Sequence, residues 1–191
     1  MNLILILLIS SLTLNTYNAE DVRKLDYVSQ YKDLAIAEMY RSGIPASITL
    51  AQALHESNAG ASPLAKNANN HFGIKCKSYW KGQTYMHYDD DFNKKGELVQ
   101  SCFRAYDTVV ESYVDRSNFL RSSSRYNALF QLDMNDYNAW AKGLKDCGYA
   151  TDARYAEILI GLIKKYRLYE YDNAANPWQM LIEQVNMANQ P

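Results

Sequence analysis

Apolar residues recur at helical spacing through most of the chain and give way to strand-like texture only near its middle. Val28 to Arg41 carries Ile36, Met39 and Tyr40 at helical intervals, and Gly43 closes that helix before Pro45 opens the next. Within Ile44 to Ser57, Ile48, Leu50, Ala51 and Leu54 make a run that is apolar on nearly every side, which predicts a buried helix with Pro45 in its first turn. Periodicity is lost over 58–70, where Gly60, Pro63 and several Asn predict a surface loop with at most a short helical turn at Leu64-Ala65-Lys66. Thr84 to Tyr88 and Leu98 to Arg104 read as strands, and Asn93-Lys94-Lys95-Gly96 between them as a hairpin turn. Helices resume at Thr108-Val109-Val110-Glu111, which fits a capping box and leads into Tyr113, Val114, Ser117 and Leu120. A further helix runs from about Asn135 through Tyr137, Trp140, Ala141 and Leu144 to Gly148. The clearest begins near Asp152 and sets Tyr155, Ile158, Leu159, Leu162, Ile163 and Tyr166 in a core-facing stripe. The pattern predicts an α+β fold, mainly helical, with a small β-hairpin lobe.

Both ends depart from this pattern. Leu3 to Ile9, with Leu12 and Leu14, is an apolar run too short to span a membrane comfortably, so residues 1–19 read as a signal peptide. An uncleaved anchor is the alternative, since no Lys or Arg precedes the run and Tyr17 sits badly three residues before a cut after Ala19. Residues 20–171 then form one domain. The tail, 172–191, has a loop over Asn173 to Pro177 and a short amphipathic helix with Trp178, Leu181, Ile182 and Val185, docked or free.

Composition narrows the function. A formal net charge of −1 argues against nucleic acid, whose phosphates call for a basic surplus. Sixteen Tyr and three Trp suit a sugar-binding cleft, where rings stack on pyranose faces and their polar tips meet hydroxyls, although many of these rings will simply pack. Cys76, Cys102 and Cys147 leave one thiol over if an exported chain forms a disulfide; Cys76–Cys102 is the favoured pair because it would staple the irregular central segment. Neither the cysteines nor the scattered His55, His71 and His87 have zinc-ligand spacing, and no metal or other cofactor is expected.

The most informative residue is Glu56, the only carboxylate between Met39 and Tyr88. An acid held against apolar neighbours stays protonated near neutrality and can donate to a leaving group; alternatively, Glu56 merely solubilises the wet end of its helix. Asp89-Asp90-Asp91 follows at the end of the first strand, where alternation lets one or two of the three face a common cleft. The run lacks the alternate spacing of a calcium loop. A helix-borne acid facing a β-lobe acid is an arrangement suited to glycoside hydrolysis.

Four blocks, Ala51-Gln52-Ala53-Leu54-His55-Glu56-Ser57, Asn69-Asn70-His71-Phe72-Gly73-Ile74-Lys75, Phe103-Arg104-Ala105-Tyr106-Asp107 and Gly148-Tyr149-Ala150-Thr151-Asp152, occur in the order seen in bacterial peptidoglycan glucosaminidases. Over Ile44 to Tyr166 the chain resembles glycoside hydrolase family 73, the flagellar-type and autolysin glucosaminidases. The resemblance implies a lysozyme-like fold and cleavage of the β-1,4 bond after N-acetylglucosamine in cell-wall glycan; the expected signal peptide makes the chain, read as a monomer, periplasmic, envelope-bound or extracellular. It makes Glu56 the general acid and places the second acid within Asp89 to Asp91, with Asp91 first and Asp90 second. If the substrate's own acetamido group is the nucleophile, Tyr149 is the residue to orient or stabilise it. Where the family has Gly-Trp-Gly after the acid this chain has Asn58-Ala59-Gly60, so sugar stacking falls to Phe72, Tyr79, Trp80 and Tyr155, two of which, Phe72 and Tyr155, can equally pack in the core. Gln52, one turn before Glu56, either orients the acid or satisfies buried backbone. Asp152 is expected as the N-cap of the last helix. A lytic transglycosylase or muramidase of the same fold and an inactive glycan-binding domain are the competing readings.

Overall fold

Helix α2, Ala46–Glu56, is the centre around which the rest is built: every residue from Ala46 to Leu54 is buried. It packs against α1 (Ala19–Ser42), α5 (Tyr137–Asp146), α6 (Tyr155–Lys165) and a closing 3-10 helix, Leu168–Asn173. The computed structural model describes residues 18–179; the expected signal segment up to residue 17 and all but the start of the expected tail helix lie outside them. Among the described residues no helix is long and apolar enough to cross a membrane.

Helix α1 begins nine residues before the sequence pattern suggests. Asn18 supplies the reason, since its side chain accepts the backbone N–H of Asp21 at 2.8 Å and caps the first turn. Gly43 ends the helix in a left-handed conformation, φ 73°, as expected. Pro45 stands at the N-cap of α2 and not inside its first turn, and no side chain of its own can cap. Asp172 does so from the far end of the domain, accepting the Ser47 amide at 2.8 Å and the Ser47 hydroxyl at 2.6 Å. The other end of α2 stops sharply after Glu56. Asn58, Ala59 and Gly60 all adopt positive φ (51°, 52° and 75°), and the Ala59 amide returns to the Leu54 carbonyl at 2.9 Å.

The loop from Asn58 to Asn70 contains a true helix, α3 (Pro63–Ala68), with Ser62 capping Ala65 and Pro63 in the first turn. Strands β1 (Thr84–Phe92) and β2 (Leu98–Arg104) form the hairpin around the expected turn, with an additional antiparallel bridge between Lys75 and Phe103. Cys76 and Cys102 are disulfide-bonded beside that bridge, and the Cys76 amide also donates to the Cys102 carbonyl at 2.8 Å. Helix α4 (Val109–Ser122) starts at Thr108, whose side chain accepts the Glu111 amide; the reciprocal arm of the box reaches one residue further, to the Asp107 amide. A 3-10 helix, Ser124–Gln131, leads to α5. Asp152 is not the N-cap of α6: Arg154 occupies that position, and Asp152 instead accepts the Arg154 amide in the turn before it. The two ends of the domain are tied by Asp21, which receives Lys165 and the Tyr166 hydroxyl.

Candidate active site

A cleft of about 550 Å³ opens where the last turn of α2 meets the β-lobe, and Glu56 lies on its wall. The left-handed turn after Glu56 ends the helix there, so the acid stands at the boundary between core and cleft. Tyr155 of α6 donates its hydroxyl to Glu56 Oε1 at 2.9 Å. Burial pushes the Glu56 carboxyl up to about 7; the Tyr155 hydrogen bond pulls against that, the negative charge of Asp89 adds to it, and the charge of Arg116 opposes it. Glu56 therefore combines the two sequence readings: it ends a helix, and it is desolvated.

Asp89 of β1 is the β-lobe acid that lines the same cleft. The register slips between Tyr88 and Phe92, so that Asp89, Asp90 and Asp91 together face one residue of β2. This bulge breaks strict alternation, and both Asp89 and Asp91 reach Lys75 Nζ, at 2.8 and 2.7 Å. Asp91 also accepts the Ser101 hydroxyl, and the lysine and the serine hold its carboxyl below the usual range. Asp91 is absent from the cleft wall, and the Asp90 side chain lies outside the described residues.

Tyr149 lines the cleft from the loop before α6, stacks on Tyr155 with ring centroids 5.8 Å apart, and donates to the Phe72 carbonyl at 3.3 Å. Burial holds its hydroxyl firmly protonated. Phe72 and Tyr155 are only 2% and 1% exposed, so their rings serve packing and positioning more than sugar stacking. Trp80 lies outside the cleft, against the Arg104 guanidinium at 4.6 Å and the Tyr106 ring at 6.0 Å. Tyr79, 63% exposed, accepts a hydrogen bond from the same arginine. Arg104 in turn clamps Asp115 of α4 with two contacts of 2.8 and 2.9 Å, so this cluster braces the lobe on the helical body.

Gln52 is fully buried and does not reach the cleft. It donates to the Tyr155 hydroxyl oxygen at 2.8 Å and so acts on Glu56 through Tyr155. Behind Gln52 lies Arg116 of α4, 0% exposed, which the sequence pattern did not single out. Its position was legible in one respect, because it falls three residues after Tyr113 and four before Leu120, on the buried face of α4. Lys75, within the Asn69 to Lys75 motif, carries no local signal of its role as clamp for the β-lobe acids, because Asp89 and Asp91 lie on β1.

Residues 32–168 match the family model described as mannosyl-glycoprotein endo-beta-N-acetylglucosaminidase. Exo-glucosaminidase LytG of Bacillus subtilis is 38% identical over 135 residues, covering 69% of this chain and 47% of that protein. Peptidoglycan hydrolase FlgJ of Escherichia coli K12 is 31% identical over 150 residues, 76% of this chain and 47% of that protein. The chain thus spans about half the length of these curated relatives. Among solved structures, the catalytic domain of the autolysin Auto from Listeria monocytogenes superposes with a TM-score of 0.68 at 25% identity, covering 82% of this chain and 92% of that one. The glycoside hydrolase domain of Salmonella typhimurium FlgJ gives 0.60 at 26% identity, with 87% and 99% covered. With a family model spanning most of its length and a lysozyme-like arrangement of helices around a hairpin lobe, the chain belongs to the glucosaminidase family, glycoside hydrolase family 73.

Proposed function

We propose that this chain hydrolyses peptidoglycan, cleaving the β-1,4 bond after N-acetylglucosamine, with Glu56 as the general acid. The observation that carries the reading is the state of Glu56. A carboxyl pushed up to about 7 keeps its proton on about half of the molecules at neutral pH and on most of them below it, and it stands on the wall of an open cleft where a glycosidic oxygen can receive that proton. Peptidoglycan is the substrate that the name of the relative peptidoglycan hydrolase FlgJ states.

Of the β-lobe acids, Asp89 is our candidate for the second carboxylate, ahead of Asp91 and Asp90, because it shares the cleft wall with Glu56. Its negative charge would stabilise the oxocarbenium-like transition state or orient water on the opposite sugar face. Tyr149, whose hydroxyl stays protonated, is placed to support an acetamido group should that group attack. The Cys76–Cys102 disulfide favours an oxidising compartment, consistent with export to the periplasm, envelope or exterior. A monomer suffices, since Glu56, Asp89 and Tyr149 all come from one chain.

The test is digestion of purified peptidoglycan by the protein and by Glu56→Gln, with reducing ends identified by mass spectrometry after borohydride reduction. Reducing N-acetylglucosamine formed only by the unsubstituted protein supports the proposal. Reducing muramic acid or anhydromuramic ends would replace it with a muramidase or a lytic transglycosylase. Equal turnover by both proteins would remove Glu56 from the mechanism, and glycan binding without release by either would leave a binding domain.

A further inference from the structure

The hydrogen bonds behind Glu56 form a chain in which one end can only donate. Arg116 is fully buried, and among the described residues no carboxylate pairs with it within 4 Å. Its guanidinium donates to Gln52 Oε1 and, at 3.1 Å, to Thr49 Oγ1, while the Thr49 hydroxyl passes its own proton to the Pro45 carbonyl at 3.1 Å. The Phe72 ring lies 5.4 Å from the guanidinium carbon. An arginine has donors and no acceptor. With Gln52 Oε1 committed as acceptor, its Nε2 must face Tyr155, and the tyrosine oxygen must accept that N–H at 2.8 Å. Among the described residues, the one acceptor left for the Tyr155 proton is Glu56 Oε1, 2.9 Å away.

We propose that Arg116, through Gln52 and Tyr155, fixes the polarity of this relay and thereby confines the transferable proton of Glu56 to Oε2. An oxygen that already accepts a hydrogen bond from Tyr155 serves as the carbonyl-like member of the acid, leaving the other to carry the hydrogen. Arg116 and Gln52 are positioning residues: neither lines the cleft, and both act through Tyr155. The inference rests on the reading of Glu56 as the acid only for its catalytic consequence; the relay itself is a property of the fold. The groups facing Glu56 from the packed elements are Asp89 of β1, Arg116 of α4, and Tyr149 and Tyr155 before and on α6, with His55 its neighbour on α2.

Gln52→Glu tests this at nearly constant shape. A glutamate keeps the acceptor for Arg116 and replaces the donor facing Tyr155 with a second acceptor, so the tyrosine proton turns away from Glu56. The Glu56 carboxyl is followed by carbon-13 NMR through a pH titration in the unsubstituted protein, in Gln52→Glu, in Tyr155→Phe and in the double variant, with peptidoglycan turnover measured in parallel. Losing a hydrogen bond to the ionised form raises a carboxyl midpoint, by roughly one unit here. The expected result is a comparable rise in each single variant and no further rise in the double variant, with kcat reduced at least tenfold and KM little changed in Gln52→Glu. An unchanged midpoint in Gln52→Glu, or the same added rise in the Tyr155→Phe background, would overturn the relay, because a through-space charge effect does not require the tyrosine. Shifted midpoints with unaltered turnover would preserve the relay and reject Glu56 as the acid.

Discussion

The two carboxylate regions on either side of the cleft are made by opposite means. Glu56 comes from the end of a helix buried from Ala46 to Leu54 and meets a tyrosine proton and, at second hand, a buried arginine; burial dominates and raises its carboxyl to about 7. The β-lobe acids come from an exposed, bulged strand and share a lysine; Asp91, held by Lys75 and Ser101, keeps its charge. One region sets protonation by excluding solvent, the other by supplying a counter-ion. The difference shows how a fold with one core can set two carboxylates, Glu56 and Asp89, on one cleft wall in different surroundings: one where the core ends, the other where the chain leaves it.

The comparison can be broken most severely on the lobe side. Asp89→Asn is expected to lower peptidoglycan turnover by roughly 10²–10⁴-fold, in the range of a lost acid–base group, while Asp91→Asn costs less than about tenfold. The reverse order in steady-state assays would make Asp91 the working acid and assign Asp89 to the lysine clamp. On the helix side, the raised Glu56 midpoint means that the folded protein binds more protons than the unfolded chain between about pH 4.5 and 7, so its contribution to stability falls as pH rises through that window and levels off above it. Glu56→Gln should therefore be more stable than the unsubstituted protein by up to about 3 kcal/mol at pH 8 and nearly equal at pH 4 in chemical denaturation. A pH-independent difference would deny that burial sets the state of this acid.

Smaller effects sharpen the contrast. Asp172→Ala removes the cap of α2 far from the cleft, and a loss of roughly 1–2 kcal/mol is expected in the same denaturation assay. Lys75→Met leaves the lobe acids without their cation, and the alkaline limb of kcat/KM, which falls as pH rises past about 7 while Glu56 ionises, should move upward by less than roughly one unit as Asp89 bears more heavily on Glu56. A downward move would mean that Lys75 shields Glu56 less than it holds the lobe in place.

Much of this arrangement was legible before any coordinates. Periodicity placed α2, the hairpin and α6, because each carries a strong stripe or alternation over its own length. The lone carboxylate in an apolar helix singled out Glu56 for the same reason. What the sequence withheld depends on contacts between distant segments. Arg116 falls on the buried face of α4 by its spacing to Tyr113 and Leu120, but its partners Gln52 and Thr49 lie more than sixty residues away. Strand alternation gives no preference for Asp89 over Asp91 until the bulge at Tyr88–Phe92 re-aims both. Trp80 looks like a sugar platform, yet Arg104 lies over its ring and Tyr106 meets it edge-to-face, away from the cleft. Asn18 as a cap is a local signal, but it falls beside the apolar run of Leu3 to Leu14, where composition and not capping governs the reading.

The carboxylate of Asp172, 125 residues beyond the amide it receives, has a consequence for how the domain comes to exist. During synthesis the first turn of α2 emerges early, with a proline at its head and no side chain of its own to finish it. The partner arrives only after almost the whole domain has been made, beyond residue 168, where the family match ends. A chain cut at Tyr166 would hold every residue of the cleft wall and still lack the group that completes the central helix. Completion of the central helix is thus deferred to the 3-10 helix at Leu168–Asn173, a high-separation contact that ties assembly of the helix bearing Glu56 to arrival of that segment.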